Sequence, residues 1–276
     1  MAIDRWCLDS IIGRHSDLPT PMRHFALTVA YDGTSYGGWQ IQANSVAVQQ
    51  ILMEAIAKGT GEHVHAQGSG RTDAGVHAIG QVASISLQNW RAPADCLVPA
   101  INRNLPKSII VRNCREAHLR FDPIRSATSK RYRYSIRNSR IPDPLLHPFH
   151  WFYPRPLDLV MMQHAASLLI GTHDFKAFES NGSPRKSTIR TVRDLVIAST
   201  PVNDGFLFEI EIEADGFLYN MVRNITGALC EVGVGRLGSR WLAGVLEGLV
   251  RDPSSQTAPA QGLCLVEVKY PPSLFL

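Results

Sequence analysis

Two rounds of one element order constrain this chain more than any single residue does. Phe25–Tyr31 (FALTVAY) alternates as a strand and stops at the turn signal Asp32-Gly33. Ser45 stands where a helix cap belongs, and Val48, Ile51, Leu52, Ala55 and Ile56 recur at helical spacing. β-prone stretches at 62–67 and Gln81–Leu87, a helix at Pro93–Leu105 and a strand at Ile109–Arg115 complete β-α-β-β-α-β. The second half repeats the order. A strand at Ser129–Arg137 precedes a helix at Leu157–Ile170 and strands at Thr188–Ala198 and Phe206–Ala214. A helix from Leu218 to Val234, a shorter one at Arg240–Leu249 and a strand at Leu263–Tyr270 follow. The halves share element order, not residues. The pattern predicts an α/β (α+β) protein of two ferredoxin-like βαββαβ halves with antiparallel sheets. Residues 22–118 form the first half and 119–276 the second, with 1–21 as a disordered arm or an upstream-start extension.

Composition narrows the class. The chain is 45% hydrophobic and 19% charged, ample for packed cores and unlike collagen or a disordered polyelectrolyte. No apolar run approaches the ~18 residues of a membrane span. The five cysteines are scattered and contain no C-x-x-C, which argues against a disulfide scaffold and a cysteine zinc site. A reducing cytoplasm is the default expectation, and no basic-then-apolar leader opens the chain.

The net charge of +4 is mild, so distribution matters more than the total. Between Arg120 and Arg140 stand Arg120, Arg125, Lys130, Arg131, Arg133, Arg137 and Arg140 against the single acid Asp122, with Tyr132 and Tyr134 interleaved. Basic groups neutralise phosphates and aromatic faces stack unpaired bases, so the stretch suits RNA. It also suits an edge strand whose cations block aggregation. A second patch contains Arg185, Lys186, Arg190 and Arg193.

The densest segment is Gly68-Ser-Gly-Arg-Thr-Asp-Ala-Gly-Val-His77. As a dinucleotide fingerprint it fails at Asp73, and as a Walker loop it fails at Val76-His77, so no nucleotide cofactor is implied. Thr-Asp-Ala-Gly is good turn chemistry. Arg71 lies two residues before Asp73; in an extended loop the two share a side, where an ion pair would aim the carboxylate and keep it charged. His63 and His65 lack acidic or cysteine partners at ligand spacing, so no metal is expected there.

RTDAGVHA resembles the signature of the tRNA pseudouridine synthase A family. YDGTSYGGWQIQ (31–42), GSGRTDAGVHAIGQV (68–82), KRYRY (130–134), HDFKAF (173–178), FLYNMVRNITGAL (217–229) and QGLCLVEVKYP (261–271) resemble further blocks in the family's order. The resemblance implies an isomerase that converts uridines at tRNA positions 38, 39 and 40 of the anticodon arm to pseudouridine. Such an enzyme needs no cofactor and no metal. It implies a homodimer with one tRNA touching both subunits, and an active site in a basic cleft flanked by the two halves.

Residue by residue, the resemblance makes Asp73 the catalytic nucleophile, or else the base of a glycal route. Tyr132 becomes the substrate-binding tyrosine, whose ring would stack on the extruded uracil; by pattern alone it reads first as a structural tyrosine on a half-buried strand. Arg71 and Arg223 match arginines that pair with the aspartate or hold phosphate. Arg223 passes a second check: Leu218, Met221, Val222, Ile225, Leu229 and Val232 form a core stripe, while Tyr219, Asn220, Arg223 and Gly227 fall on another face. Asn220 stands where many relatives carry histidine and receives no role. The rival readings are a non-catalytic tandem RNA-binding protein and a glycosylase releasing free uracil, although no RNP1-type string falls on a strand.

Overall fold

The computed structural model describes residues 21–180, 182 and 187–276. The arm, except for Pro21, lies outside the described residues, as do Arg185 and Lys186 of the second basic patch. The chain forms two compact units: one reaches to Thr128 and takes in Val268–Leu276, the other comprises Ser129–Glu267.

The first unit begins with β1 (Arg23–Tyr31) and α1 (Val48–Thr60), then β2 (Gln67–Gly68), β3 (His77–Leu87), α2 (Leu97–Asn102) and β4 (Ile109–Ala117). This is the βαββαβ order. β1 runs antiparallel between β3 and β4, with Phe25 opposite Ile85 and Leu27 opposite both Ala83 and Cys114. Phe25, Leu27, Val29 and Tyr31 alternate inward, and Val48, Leu52, Ala55 and Ile56 of α1 are likewise buried, so both periodicities feed one core.

Three local expectations change. Of the segment 62–67 only Gln67 joins a strand, in β2, while Glu62 accepts the backbone N–H groups of Gln88 (2.7 Å) and Asn89 (2.9 Å). Ser45 does not cap α1. The cap residue is Ala47, without a side-chain bond, and the Val48 and Gln49 N–H groups bind the carbonyls of Gly38 and Trp39 at 3.1 and 3.0 Å. A loop backbone has replaced the hydroxyl as the helix's first partner. β3 extends the expected stretch Gln81–Leu87 back to His77, and Gln81 and Ser84 are buried along with its apolar residues.

The C-terminal segment completes this unit. Leu276 and His118 exchange backbone bonds with Glu116 and Leu274 at 3.0 Å each, and the Arg115 guanidinium lies 3.6 Å from the Phe275 ring centroid.

The second unit contains β5 (Ser129–Ser139), β6 (Trp151–Tyr153), α3 (Leu159–Ser167), β7 (Gly171–Asp174), β8 (Ile189–Val202) and β9 (Gly205–Ala214). α4 (Met221–Gly233), α5 (Ser239–Gly248) and β10 (Leu263–Lys269) follow, the last carrying the chain back into the first unit. β5, β9, β8 and β7 pair antiparallel in that order, and β6 adds to β5 in parallel. β6 and β7, of three and four residues, are too short to carry a periodicity that sequence could show. The mixed α/β class with antiparallel pairing is as the sequence predicts. No helix among the described residues is long and apolar enough to cross a membrane.

α4 is buried almost all round rather than amphipathic. Its expected stripe is buried, but so are Thr226, Gly227, Cys230 and Glu231. Gly227 does not face open space: a Cβ there would sit 1.8 Å from the Gln256 carbonyl oxygen. Only glycine lets the 256–258 strap lie on this helix.

Candidate active site

In the first unit, the loop from Gly68 to His77 is fixed by backbone contacts and close glycine packing. Ser69 N–H donates to the Val82 carbonyl at 2.7 Å, Ser69 Oγ donates to Gln81 Oε1 at 2.6 Å, and Gln81 Nε2 donates to the Gly70 carbonyl at 2.9 Å. Trp39 N–H donates to the Thr72 carbonyl at 3.0 Å, and the Thr72 hydroxyl meets the buried Tyr31 hydroxyl at 2.7 Å. Asp73 then opens a tight turn: its carbonyl accepts Val76 N–H at 3.1 Å, with Gly75 at φ +78°. A left-handed third residue is what a type II turn requires.

Two glycines press on this turn from the 33–38 loop. A Cβ on Gly38, whose φ is +100°, would lie 2.4 Å from the Thr72 carbonyl oxygen, and one on Gly33 would lie 2.0 Å from that of Val76. His77 Nδ1 accepts Gly33 N–H at 3.0 Å and lies 3.3 Å from Asp32 Oδ1. Burial pushes the Asp32 carboxyl up, but the Thr34 hydroxyl and N–H donate to it and the group lies below its ordinary value. Asp73, half-buried, thus has its backbone tied on both sides. Arg71 is exposed, and no ion pair joins it to Asp73 among the described residues. The chain turns at Asp73, so the shared side of an extended segment is lost there.

In the second unit, β5 separates two kinds of side chain by its pleat. Tyr132 is half-buried, edge-on to Phe217 with centroids 5.1 Å apart at 84°. Tyr134, two residues on, is fully buried; its hydroxyl donates to the Pro259 carbonyl at 2.7 Å, and Gly262 abuts its ring. Burial pushes that phenol well up.

The other face corrects the reading of the basic stretch. Arg131 meets Glu213 at 2.7 Å, Asp194 at 2.9 Å and Glu211 at 3.1 Å; Arg133 meets Glu211 at 2.7 Å and Glu209 at 3.5 Å. Arg137 pairs with Asp204, and Arg125 lies 3.9 Å from Asp122. Register supplies the acids, with Arg131 opposite Glu213 and Arg133 opposite Glu211. Much of the apparent cationic stripe is an internal ion-pair lattice, on the side of the strand away from Tyr132.

Arg223 stands in the first turn of α4, half-buried. Its Nε donates to the Ala258 carbonyl at 2.7 Å and its Nη1 to Asn220 Oδ1 at 2.8 Å, while Ala258 N–H returns to the Arg223 carbonyl at 3.1 Å. Asn220 occupies the left-handed region at φ +58° and its Nδ2 donates to Ser180 Oγ at 3.2 Å. Asn224 continues the web, donating to the Phe178 carbonyl (2.8 Å) and to Ser180 Oγ (3.3 Å) and accepting from Thr257 Oγ1 (2.8 Å). Sequence spacing found Arg223 but missed Asn220, Ser180 and the 257–258 strap. The i, i+3 offset of Asn220 and Arg223 is a legible signal; Ser180 and Ala258 leave none. Asp73 and Arg71 belong to the first unit, Tyr132 and Arg223 to the second.

The model of a family described as tRNA pseudouridine synthase matches residues 27–124 and 165–271. A curated relative from Thermoanaerobacter sp. (strain X514), named tRNA pseudouridine synthase A, is 45% identical over 90% of this chain and 100% of its own length. Relatives of the same name from Pelobacter propionicus and Acetivibrio thermocellus are 44% and 43% identical over the same shares.

Proposed function

The chain belongs to the tRNA pseudouridine synthase family, and from that premise we propose that Asp73 is the carboxylate on which its reaction turns. The protein is an isomerase acting on tRNA uridine. In our reading the targets are positions 38, 39 and 40 of the anticodon arm, and each base must leave its stack to be reached. The Asp73 carboxylate attacks C1′ as the N1–C1′ bond breaks and uracil leaves as the anion. The base turns, C5 bonds to C1′ and the carboxylate departs. C5 then loses its proton and N1 gains one, so the atoms balance without redox change or hydrolysis.

Tyr132 stacks on the base, with its hydroxyl near the C5 proton. Arg223 holds a phosphate or steadies the carboxylate. Arg71, exposed and unpaired among the described residues, suits a phosphate contact better than the aspartate-pairing role. The expected homodimer and cytoplasmic setting belong to this reading too, the first resting on the resemblance and the second on the scattered cysteines.

The observation that carries the proposal is the half-buried Asp73 at the head of a turn whose backbone is anchored before and after it. Asp73→Asn is expected to abolish pseudouridine formation on an unmodified tRNA transcript while binding stays within roughly tenfold, since many phosphate contacts carry affinity. Chemical mapping of pseudouridine and a filter-binding titration read the two quantities. Normal turnover by the Asn variant would sink the assignment.

A further inference from the structure

Asn220 does three things that do not follow from its place at the start of a helix. It occupies a left-handed conformation, φ +58°, that side chains other than Asn and Asp adopt reluctantly. It is the cap residue of α4, yet its side chain makes no cap bond. Instead its Oδ1 accepts Arg223 Nη1 at 2.8 Å, while its Nδ2 is anchored on Ser180 Oγ at 3.2 Å. An asparagine at a helix start ordinarily accepts an N–H from the first turn. Here the acceptor is turned onto the guanidinium. The Ala258 carbonyl holds Nε at 2.7 Å, so two acceptors at two nitrogens fix the plane of the group. A planar fork held at two corners has little rotational freedom left.

We propose that Asn220 is a positioning residue for the isomerisation: with the Ala258 carbonyl it sets the orientation in which Arg223 meets the tRNA. This rests on the reading that Arg223 touches the substrate. The Ser180 hydroxyl completes the device by receiving donors from both Asn220 (3.2 Å) and Asn224 (3.3 Å), which ties the residue before the helix to one inside it. A guanidinium that loses one of these acceptors can tilt about the contacts that remain, and a displacement near an ångström is enough to lower turnover on the order of a hundredfold.

The test uses the full-length enzyme and tRNA transcript under single-turnover conditions. Asn220→Gly accepts the positive φ and removes only the side chain, so its melting temperature should stay near wild type. Its rate is expected to fall roughly ten- to a hundredfold. Asn220→Asp keeps an acceptor for Arg223 and should stay within about threefold of wild type. Ser180→Ala removes the far anchor without touching the α4 backbone, and should slow the reaction by roughly two- to fivefold.

In an Arg223→Ala background, Asn220→Gly and Ser180→Ala should add less than about twofold, because residues acting through one group are not additive. That loss of effect is something a merely structural role would not produce. Wild-type turnover by Asn220→Gly beside a slow Arg223→Ala overturns the inference alone. So does an equal penalty in both backgrounds, or an Asn220→Asp variant as slow as Asn220→Gly. Wild-type turnover by Arg223→Ala overturns both the inference and the reading on which it rests.

Discussion

The Asp73 loop of the first unit and strand β5 of the second both carry residues assigned to the chemistry, but they are built by different means. The loop is pinned by hydrogen bonds that end largely on its own backbone and by close packing at Gly33, Gly38 and Gly68, where neighbouring groups approach to distances no side chain permits. β5 is held by its ladder to β9, and its side chains divide by face: Tyr132 and Tyr134 pack on aromatic and backbone groups, while Arg131, Arg133 and Arg137 meet five acids. The first design fixes the backbone that carries a carboxylate and tolerates few substitutions. The second lets one residue of a strand change role while its alternate neighbours keep the fold.

After the loss expected at Asp73, the largest effect should come from Tyr132, where strand and chemistry are easiest to separate. Tyr132→Phe keeps the ring and is expected to bind tRNA normally but turn over more slowly by ~10²–10⁴, the range of general acid–base assistance. Tyr132→Leu should also lose stacking, about 1–3 kcal/mol on the flipped state. Stopped-flow mixing with tRNA and quench analysis would separate binding from turnover, and wild-type rates in both variants would make Tyr132 an ordinary strand residue.

The loop's dependence on glycine comes next. Gly38→Ala combines a strained φ with a Cβ 2.4 Å from a carbonyl oxygen, whereas Gly61→Ala is strained at φ +78° but meets open space. The first should cost about 2–4 kcal/mol and lower turnover more than ~10²-fold; the second should cost about 1 kcal/mol and leave turnover intact. Paired melting curves and rates would show whether contact or backbone strain governs the loop.

On the arginine face, Arg131→Met takes from the buried Glu213 the guanidinium that meets it at 2.7 Å and should destabilise the protein by about 2–4 kcal/mol. Burial raises Glu211, but Arg133 and Arg131 outweigh it and lower its folded pKa below 4.5. A depressed carboxylate stabilises the fold above its unfolded pKa, and that stability disappears as pH falls through the folded value. The melting temperature should therefore drop below about pH 4.5, and drop less in Arg131→Met. The smallest effect is expected from Arg133→Gln. Its charge is already met by Glu211 and Glu209, so tRNA affinity and its salt slope should stay unchanged, in contrast to a free phosphate-binding arginine.

These contrasts explain which parts of the molecule the sequence disclosed. The order β-α-β-β-α-β was legible because Phe25, Leu27 and Val29 alternate and Val48, Leu52 and Ile56 recur within one element each. The Asp73 loop was legible because its glycines, turn residues and carboxylate are contiguous. The charge balance of β5 was not, since the partners of Arg131 stand at 194, 211 and 213 and meet it only through strand register. Asn220 escaped for a related reason: its anchor, Ser180, lies forty residues upstream.

The return of Val268–Leu276 to the first unit has a consequence for birth on the ribosome. The backbone bonds of Glu116 and His118 to Leu276 and Leu274, and the Arg115 contact with Phe275, can form only after the whole of Ser129–Glu267 has been translated. At ~5–20 residues per second that is a delay on the order of ten seconds, during which the nascent strand β4 waits without its final neighbour. The unit that holds Asp73 is begun first and closed last, and the inserted unit has time to fold in between.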